Sequence, residues 1–104
     1  MSTTTTDKTF KTINPANGKT LSSHALLTDE QVEETIQRSH SAFKKWKNKS
    51  VEERAKVISS IGEELQNYKK ELAEMMTSEM GKLLTQSEQE LDLCSAICSF
   101  SAKN

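Results

Sequence analysis

A chain of 104 residues is long enough for one domain and too short for most two-domain enzymes. Apolar residues make up 34% of it, below the roughly 45–50% of an average soluble domain, so any core is thin against the entropy of ordering the chain. Net charge is −1, with 14 basic and 15 acidic residues well mixed. That balance excludes the basic patch of a nucleic-acid surface, and periodic apolar residues exclude disorder throughout.

Residues 1–8 are polar, Ser/Thr-rich and aperiodic, and read as a disordered tail. They have neither the basic segment nor the apolar run of a secretory signal, and no apolar run in the chain is long enough to span a membrane. Thr9 to Ile13 alternates around Phe10 and β-branched threonines, a strand pattern. Pro15, Asn17 and Gly18 then mark a tight reversal, and Thr20 to Leu26 reads as the return strand. Such a hairpin needs a partner surface, because two strands alone are marginal.

The first helix opens on a capping box, Thr28-Asp29-Glu30-Gln31, with Leu27 and Val32 spaced as a hydrophobic staple. Asp29 and Glu30 suit the positive end of a helix, and Val32, Ile36, Phe43 and Trp46 recur at helical spacing, so a helix is expected from about Asp29 to Lys47. A second box at Ser50-Val51-Glu52-Glu53 opens a stripe of Ala55, Ile58, Ile61, Leu65, Tyr68, Leu72 and Met76. Gly62 weakens that interior by about 1 kcal/mol against alanine and is read as a point of close helix packing. Asn67 is a candidate cap, so the stripe is either one long helix or two joined by a kink near Asn67-Tyr68. Gly81 ends the pattern through its tolerance of the left-handed conformation. A third box at Thr85 and Glu88 introduces a final helix with Leu91, Cys94 or Ser95, and Cys98 on its inner face and Leu93, Ile97 and Phe100 widening it. Apolar residues still recur close to Asn104, so the chain is expected to be truncated from something larger.

Chemistry-bearing residues are sparse. Cys94 and Cys98 share a helix face at i,i+4, but zinc needs about four ligands, and His24 and His40 have no paired spacing to them. Glu88, Glu90 and Asp92 in the preceding turns oppose a thiolate, so both cysteines read as small buried hydrophobes in a reducing cytoplasm. His40 reads as a packing or interhelical hydrogen-bonding residue, and His24 as solvent-facing. There is no GxGxxG, no GxxxxGK[ST], and no strand–glycine loop–helix unit. Lys82 is explained by the helix end and solvent, and paired glutamates such as Glu63 and Glu64 by a solvated face. Trp46, among Lys44, Lys45, Lys47 and Lys49, reads as the anchor closing the turn onto the next helix or as part of an interface. Met75, Met76 and Met80 suit uneven packing against a larger body.

The run Ile13-Asn14-Pro15-Ala16-Asn17-Gly18-Lys19 is similar to the asparagine–proline–x–x–glycine turn found early in aldehyde dehydrogenases. Val32, Ile36, Ala42, Phe43 and Trp46 follow in order, then Glu53-Arg54-Ala55 and Glu71-Leu72-Ala73. Met76 to Lys82 resembles the family's glutamate–x–glycine–lysine element, and Glu88, Glu90, Leu91, Cys94 and Phe100 to Asn104 match the helix after it. From about Thr9 to Asn104 the chain therefore resembles the N-terminal region of that superfamily, nearest its succinate-semialdehyde dehydrogenase-like members. Leu83 departs from it, standing where many relatives have proline.

The resemblance implies a fragment of the α/β aldehyde dehydrogenase fold, locally a β-hairpin followed by three or four α-helices. Residues 9–104 would be the N-terminal portion of a cofactor-binding domain, with the remainder of the fold as their partner. It implies NAD or NADP as cofactor of the whole enzyme, which forms homo-dimers or tetramers. In the family a cysteine attacks the aldehyde, hydride passes to the nicotinamide, and a glutamate-activated water releases the acid. Those residues lie downstream of this region, so none is carried onto Cys94, Cys98 or any glutamate here. No catalytic, cofactor-binding or metal residue is expected, and this chain alone is expected to bind no cofactor and be inactive. The rival reading is a small helical interaction module without enzymatic activity.

Overall fold

In the computed structural model, which describes residues 8–104, a hairpin is followed by four helices. Strand β1 (Thr9–Ile13) pairs antiparallel with β2 (Thr20–Ala25), and the helices are α1 (Asp29–Trp46), α2 (Val51–Asn67), α3 (Lys69–Met80) and α4 (Leu84–Lys103). The tail expected over residues 1–8 lies, Lys8 apart, outside the described residues. No described helix is long and apolar enough to cross a membrane.

The hairpin register places Phe10 opposite His24 and Thr12 opposite Ser22, with a bulge between Thr12 and Ile13. The Phe10 and His24 rings stack at 5.0 Å, and the Thr12 and Ser22 hydroxyls hydrogen-bond at 2.7 Å. The connection is longer than a two-residue Asn-Gly turn and is organised by Asn14. Its carbonyl accepts from Gly18 N–H at 2.8 Å and its side-chain oxygen from Ala16 N–H at 2.9 Å. A two-residue type I′ turn needs positive φ at both central positions. Here Gly18 alone adopts it (φ 72°), and Asn17 instead uses its side-chain oxygen to accept from Lys19 N–H.

Helix α1 begins as its sequence dictates. Gln31 N–H donates to Thr28 Oγ1 at 3.1 Å, and Thr28 N–H donates to Gln31 Oε1 at 2.9 Å, closing the box. The second box is only half formed. Ser50 Oγ accepts from Glu53 N–H at 3.1 Å, but the Glu53 carboxylate accepts a hydrogen bond from the Ser50 hydroxyl rather than from the Ser50 N–H. The expected kink is a break. Helix α2 ends at Asn67, Tyr68 is non-helical (φ −105°, ψ 15°), and α3 starts at Lys69. Asn67 does not cap the new helix, because it is still the last residue of α2 and the N-cap position falls to Tyr68. The third box is absent as well. Helix α4 starts at Leu84, one residue before Thr85, from an N-cap Leu83 that has no side-chain acceptor to offer. Gly81 closes α3 in the left-handed conformation (φ 75°), as expected of a C-cap glycine.

The helices form a slab of 45 × 42 × 16 Å with a radius of gyration of 17.8 Å, against about 13 Å for a compact chain of this length. Helix α4 lies along α2 and α3, and the hairpin touches α3. The apolar core consists of Ala73 and Leu91, joined by the buried Ser87. Helix α1 has no buried residue, and Val32, Ile36 and Phe43 stand exposed along it. Of the expected stripe of α2 and α3, Ala55, Ile58, Leu65, Leu72 and Met76 are half-buried, whereas Ile61 and Tyr68 are exposed. The fully buried positions are the small Gly62 and Ala73, beside that stripe, and at Gly62 α4 packs closely as expected.

Candidate functional site

Helix α4 presents Ser87, Leu91, Cys94, Ser95, Cys98 and Ala102 on one face because they recur three or four residues apart. Against α2 the approach is close. Ser95 Oγ donates to the Gly62 carbonyl at 2.9 Å, and a Cβ on Gly62 would lie 2.9 Å from that of Cys98. Against α3 the Thr77 and Ser87 hydroxyls share a 3.0 Å hydrogen bond. Polar side chains flank this seam. Asp92 accepts from Gln66 Nε2 at 3.0 Å and pairs with Lys69 Nζ at 2.9 Å. The Lys69 hydrogen bond, and then that of Gln66, hold the Asp92 carboxyl below its ordinary pKa of 3.8.

The glutamate–x–glycine–lysine element becomes the α3–α4 junction. Gly81 packs against the hairpin tip, so that a Cβ there would lie 3.0 Å from Pro15 Cγ. Lys82 Nζ crosses the junction to pair with Glu90. The hairpin thereby touches α3 at its tip, while Phe10, Ile13 and Leu21 along its strands stay exposed, and Lys82 serves a neighbouring carboxylate rather than solvent alone.

The remaining sequence candidates do not converge. Cys94 and Cys98 are free and half-buried on α4. Among the described residues no three His, Cys, Asp or Glu side chains are grouped to hold a metal ion. His24 is exposed and hydrogen-bonds Ser22 Oγ at 2.9 Å. His40 is exposed on α1 and stacks only within its own helix, on Phe43 at 6.5 Å, so the interhelical role expected of it is not made.

The hairpin-to-α1 passage and the starts of α1 and α2 do not offer a dinucleotide's pyrophosphate a cradle. The strand-to-helix passage from Ala25 to Asp29 contains no glycine, so the backbone cannot approach a pyrophosphate closely there. The starts of α1 and α2 are closed by Thr28 and Ser50 and carry Asp29, Glu30, Glu52 and Glu53, which repel a second anion.

Two surface features remain. An open, almost wholly apolar groove runs along α2 into α3 between Val57, Ile61, Leu65, Tyr68 and Leu72. The second groove lies where the α1–α2 turn meets the C-terminal end of α4, lined by Trp46, Val51, Arg54, Ile58, Lys103 and Asn104 among others. Trp46 lines it beside Val51, Arg54 and Ile58 of α2. Arg54 Nε is buried there and donates to no acceptor. Sequence reasoning used Arg54 only as part of a family run and Asp92 only as a charge near the cysteines, and foresaw neither the buried Nε nor the pairing with Lys69. The only available signal was a charged residue beside the apolar stripe of an amphipathic helix.

Comparison with known proteins agrees with this architecture. The aldehyde dehydrogenase family model matches residues 2–104. The chain is 31% identical over 94 residues to a succinate-semialdehyde dehydrogenase [NADP(+)] of Deinococcus radiodurans, covering 90% of this chain and 20% of that protein. It is 30% identical over 92 residues to the Escherichia coli succinate semialdehyde dehydrogenase [NAD(P)+] Sad, covering 88% and 20%. The crystal structure of Streptococcus pyogenes succinic semialdehyde dehydrogenase with NADP+ superposes with a TM-score of 0.84 at 32% identity, covering 90% of this chain and 21% of that one. The structure of Gox0499 superposes at 0.87 and 28%, covering 91% and 21%. The chain thus spans about a fifth of the length of these relatives, and its hairpin and four helices are part of their fold. The chain belongs to the aldehyde dehydrogenase family.

Proposed function

We propose that residues 9–104 are the N-terminal portion of the cofactor-binding domain of a cytoplasmic, NAD(P)-dependent aldehyde dehydrogenase that oxidises succinate semialdehyde to the acid. By themselves the 104 residues are inactive and bind neither NAD nor NADP. The observation that carries the substrate is the similarity to relatives named for succinate semialdehyde along nearly the whole chain. Inactivity is supported by helix starts that are closed and acidic where a pyrophosphate would need them open.

The partner in this reading is the rest of the dehydrogenase fold, itself assembled as a homo-dimer or tetramer. Its support is the apolar surface left uncovered: Ile36 on α1, Ile61 on α2 and Phe100 on α4 are 58%, 46% and 68% exposed. The apolar groove along Val57, Ile61, Leu65, Tyr68 and Leu72 adds to this, since contiguous exposed apolar surface marks an interaction site.

Two assays test the proposal. Purified chain supplied with succinate semialdehyde and NADP+ or NAD+ is expected to form no reduced nicotinamide above a mock preparation, and formation above it refutes inactivity. Residues 9–104 substituted for the matching segment of the Deinococcus radiodurans relative are expected to give a soluble enzyme active on succinate semialdehyde. An insoluble chimera, or a soluble one that has lost that activity, refutes the placement.

A further inference from the structure

The hairpin connection carries the chain's one asparagine–glycine pair, Asn17-Gly18. Both residues are exposed, and a Cβ added to Gly18 would meet nothing within 4 Å, so no side chain shields the Gly18 nitrogen from the carboxamide before it. Asn17 Oδ1 accepts from Lys19 N–H at 2.9 Å, an Asx turn that folds the carboxamide back over the peptide joining Asn17 to Gly18. The same hydrogen bond draws electron density from the carboxamide carbon and is placed to hold negative charge on its oxygen. Gly18 N–H is tied to the Asn14 carbonyl at 2.8 Å, a surface contact that opens without unpacking any buried side chain. Asn14, Asn48 and Asn67 lack this combination. Pro15 after Asn14 has no N–H, and Lys49 and Tyr68 bear side chains that crowd the attacking nitrogen.

We propose that Asn17 is a site of self-modification, its carboxamide converted to a carboxylate through a cyclic imide with Gly18, with water as co-reactant. The Gly18 nitrogen gives its proton to hydroxide and bonds to Asn17 Cγ. The Cγ–Nδ2 bond then breaks, and that nitrogen leaves as ammonia with a proton taken from water. Water next opens the imide at either carbonyl, with no change of oxidation state. Cleavage between the Gly18 nitrogen and Cγ leaves aspartate. Cleavage between that nitrogen and the Asn17 main-chain carbonyl leaves isoaspartate, whose main chain runs through Cβ and Cγ. The isoaspartate form adds a carbon to the backbone between the Asn14 acceptor and the Gly18 donor, so the bond that closes the turn is lost. Pro15, held inside that turn, then leaves its seat against Gly81. The modification thus frees the hairpin tip from the α3–α4 junction.

The test is timed incubation of the full chain from neutral to mildly alkaline pH, followed by peptide mapping. We expect amide-to-acid conversion at Asn17 and not at Asn48 or Asn67, with isoaspartate among the products. The rate rises about tenfold per unit of pH, because the nitrogen attacks as its anion. Asn17→Gln, whose longer side chain cannot close the same ring, loses the reaction. A second measurement uses the isoaspartate form, separated by its added negative charge. Its Gly18 amide loses hydrogen-exchange protection and its Gly81 amide resonance shifts, whereas Asn17→Asp, with an unaltered main chain, keeps both near the parent's. Conversion spread equally over Asn48 and Asn67, aspartate without isoaspartate, no conversion at all, or an isoaspartate form whose Gly81 resonance matches the parent would each overturn the proposal.

Discussion

Ser95 Oγ reaches the carbonyl of Gly62 at 2.9 Å, and the approach leaves no room for a side chain on Gly62, whose Cβ would fall 2.9 Å from that of Cys98. Both contacting atoms of that clash belong to the stiff first carbon of a side chain, so relief requires the helices to part.

Two effects oppose each other at Gly62. Alanine gains about 0.5–1 kcal/mol of helix stability over glycine, whereas overpacking a close contact costs about 1–3 kcal/mol. The second wins, so Gly62→Ala is expected to lower stability by about 1 kcal/mol, read from the urea midpoint at unchanged slope. A Gly62→Ala chain more stable than the parent would show that α2 and α4 do not meet so closely in solution.

Gly81 and Gly18 separate backbone strain from steric contact. Both have positive φ, but Gly18 has open space around it while Gly81 faces Pro15. Alanine at either site carries about 1–2 kcal/mol of left-handed strain, and Gly81→Ala adds the Pro15 contact. Gly81→Ala is therefore expected to be the more destabilising, and Pro15→Ala to recover the excess only in that background. A double-mutant cycle with no coupling between positions 15 and 81 would refute the docking of the hairpin tip.

Asp92 links stability to acid. Its carboxyl titrates below the ordinary 3.8, chiefly through Lys69 and then Gln66. A folded value below the unfolded one means the contribution is complete above the unfolded pKa and is lost as pH falls through the folded value. The stability difference between the parent chain and Asp92→Asn is thus expected to be constant near neutrality and to vanish on acidification below 3.8. A difference that persists at the acid end would assign the effect of Asp92 to shape rather than charge.

Leu83 is already shaped for proline. Its φ of −64° matches the value the pyrrolidine ring imposes, and its N–H donates no hydrogen bond among the described residues. Its side chain is 66% exposed, so little burial is at stake. Leu83→Pro is expected to stabilise the chain by about 0.4–1 kcal/mol by restricting the unfolded state. A fall in the thermal midpoint would mean that the junction moves through other conformations.

Features governed by neighbours in sequence were legible in advance. The box at Thr28 and Gln31, the stop at Gly81 and the close packing at Gly62 each follow from local stereochemistry. The break near Asn67-Tyr68 and the helix start near Thr85 fall within a residue of where they were expected, but the side-chain caps read there do not form: the junction residues are Tyr68 and Leu83, which make no cap hydrogen bond. The exposure of Ile61 and Tyr68 had no local cause, since it depends on how α4 lies against α2 and α3. The pairs Lys69–Asp92 and Lys82–Glu90 likewise join residues that only the packing of the helices brings together.

A slab 16 Å thick has two broad surfaces and almost no inside. Nearly every helical peptide group within it lies one side chain away from water, so no deep layer sets a high threshold for opening. Amide hydrogen exchange should accordingly find a shallow gradient of protection, highest along the seam from Gly62 and Ala73 to Ser87 and Leu91 and lowest in α1. Whatever is laid against either surface then raises protection across its whole width at once, which makes these helices reporters of their own covering.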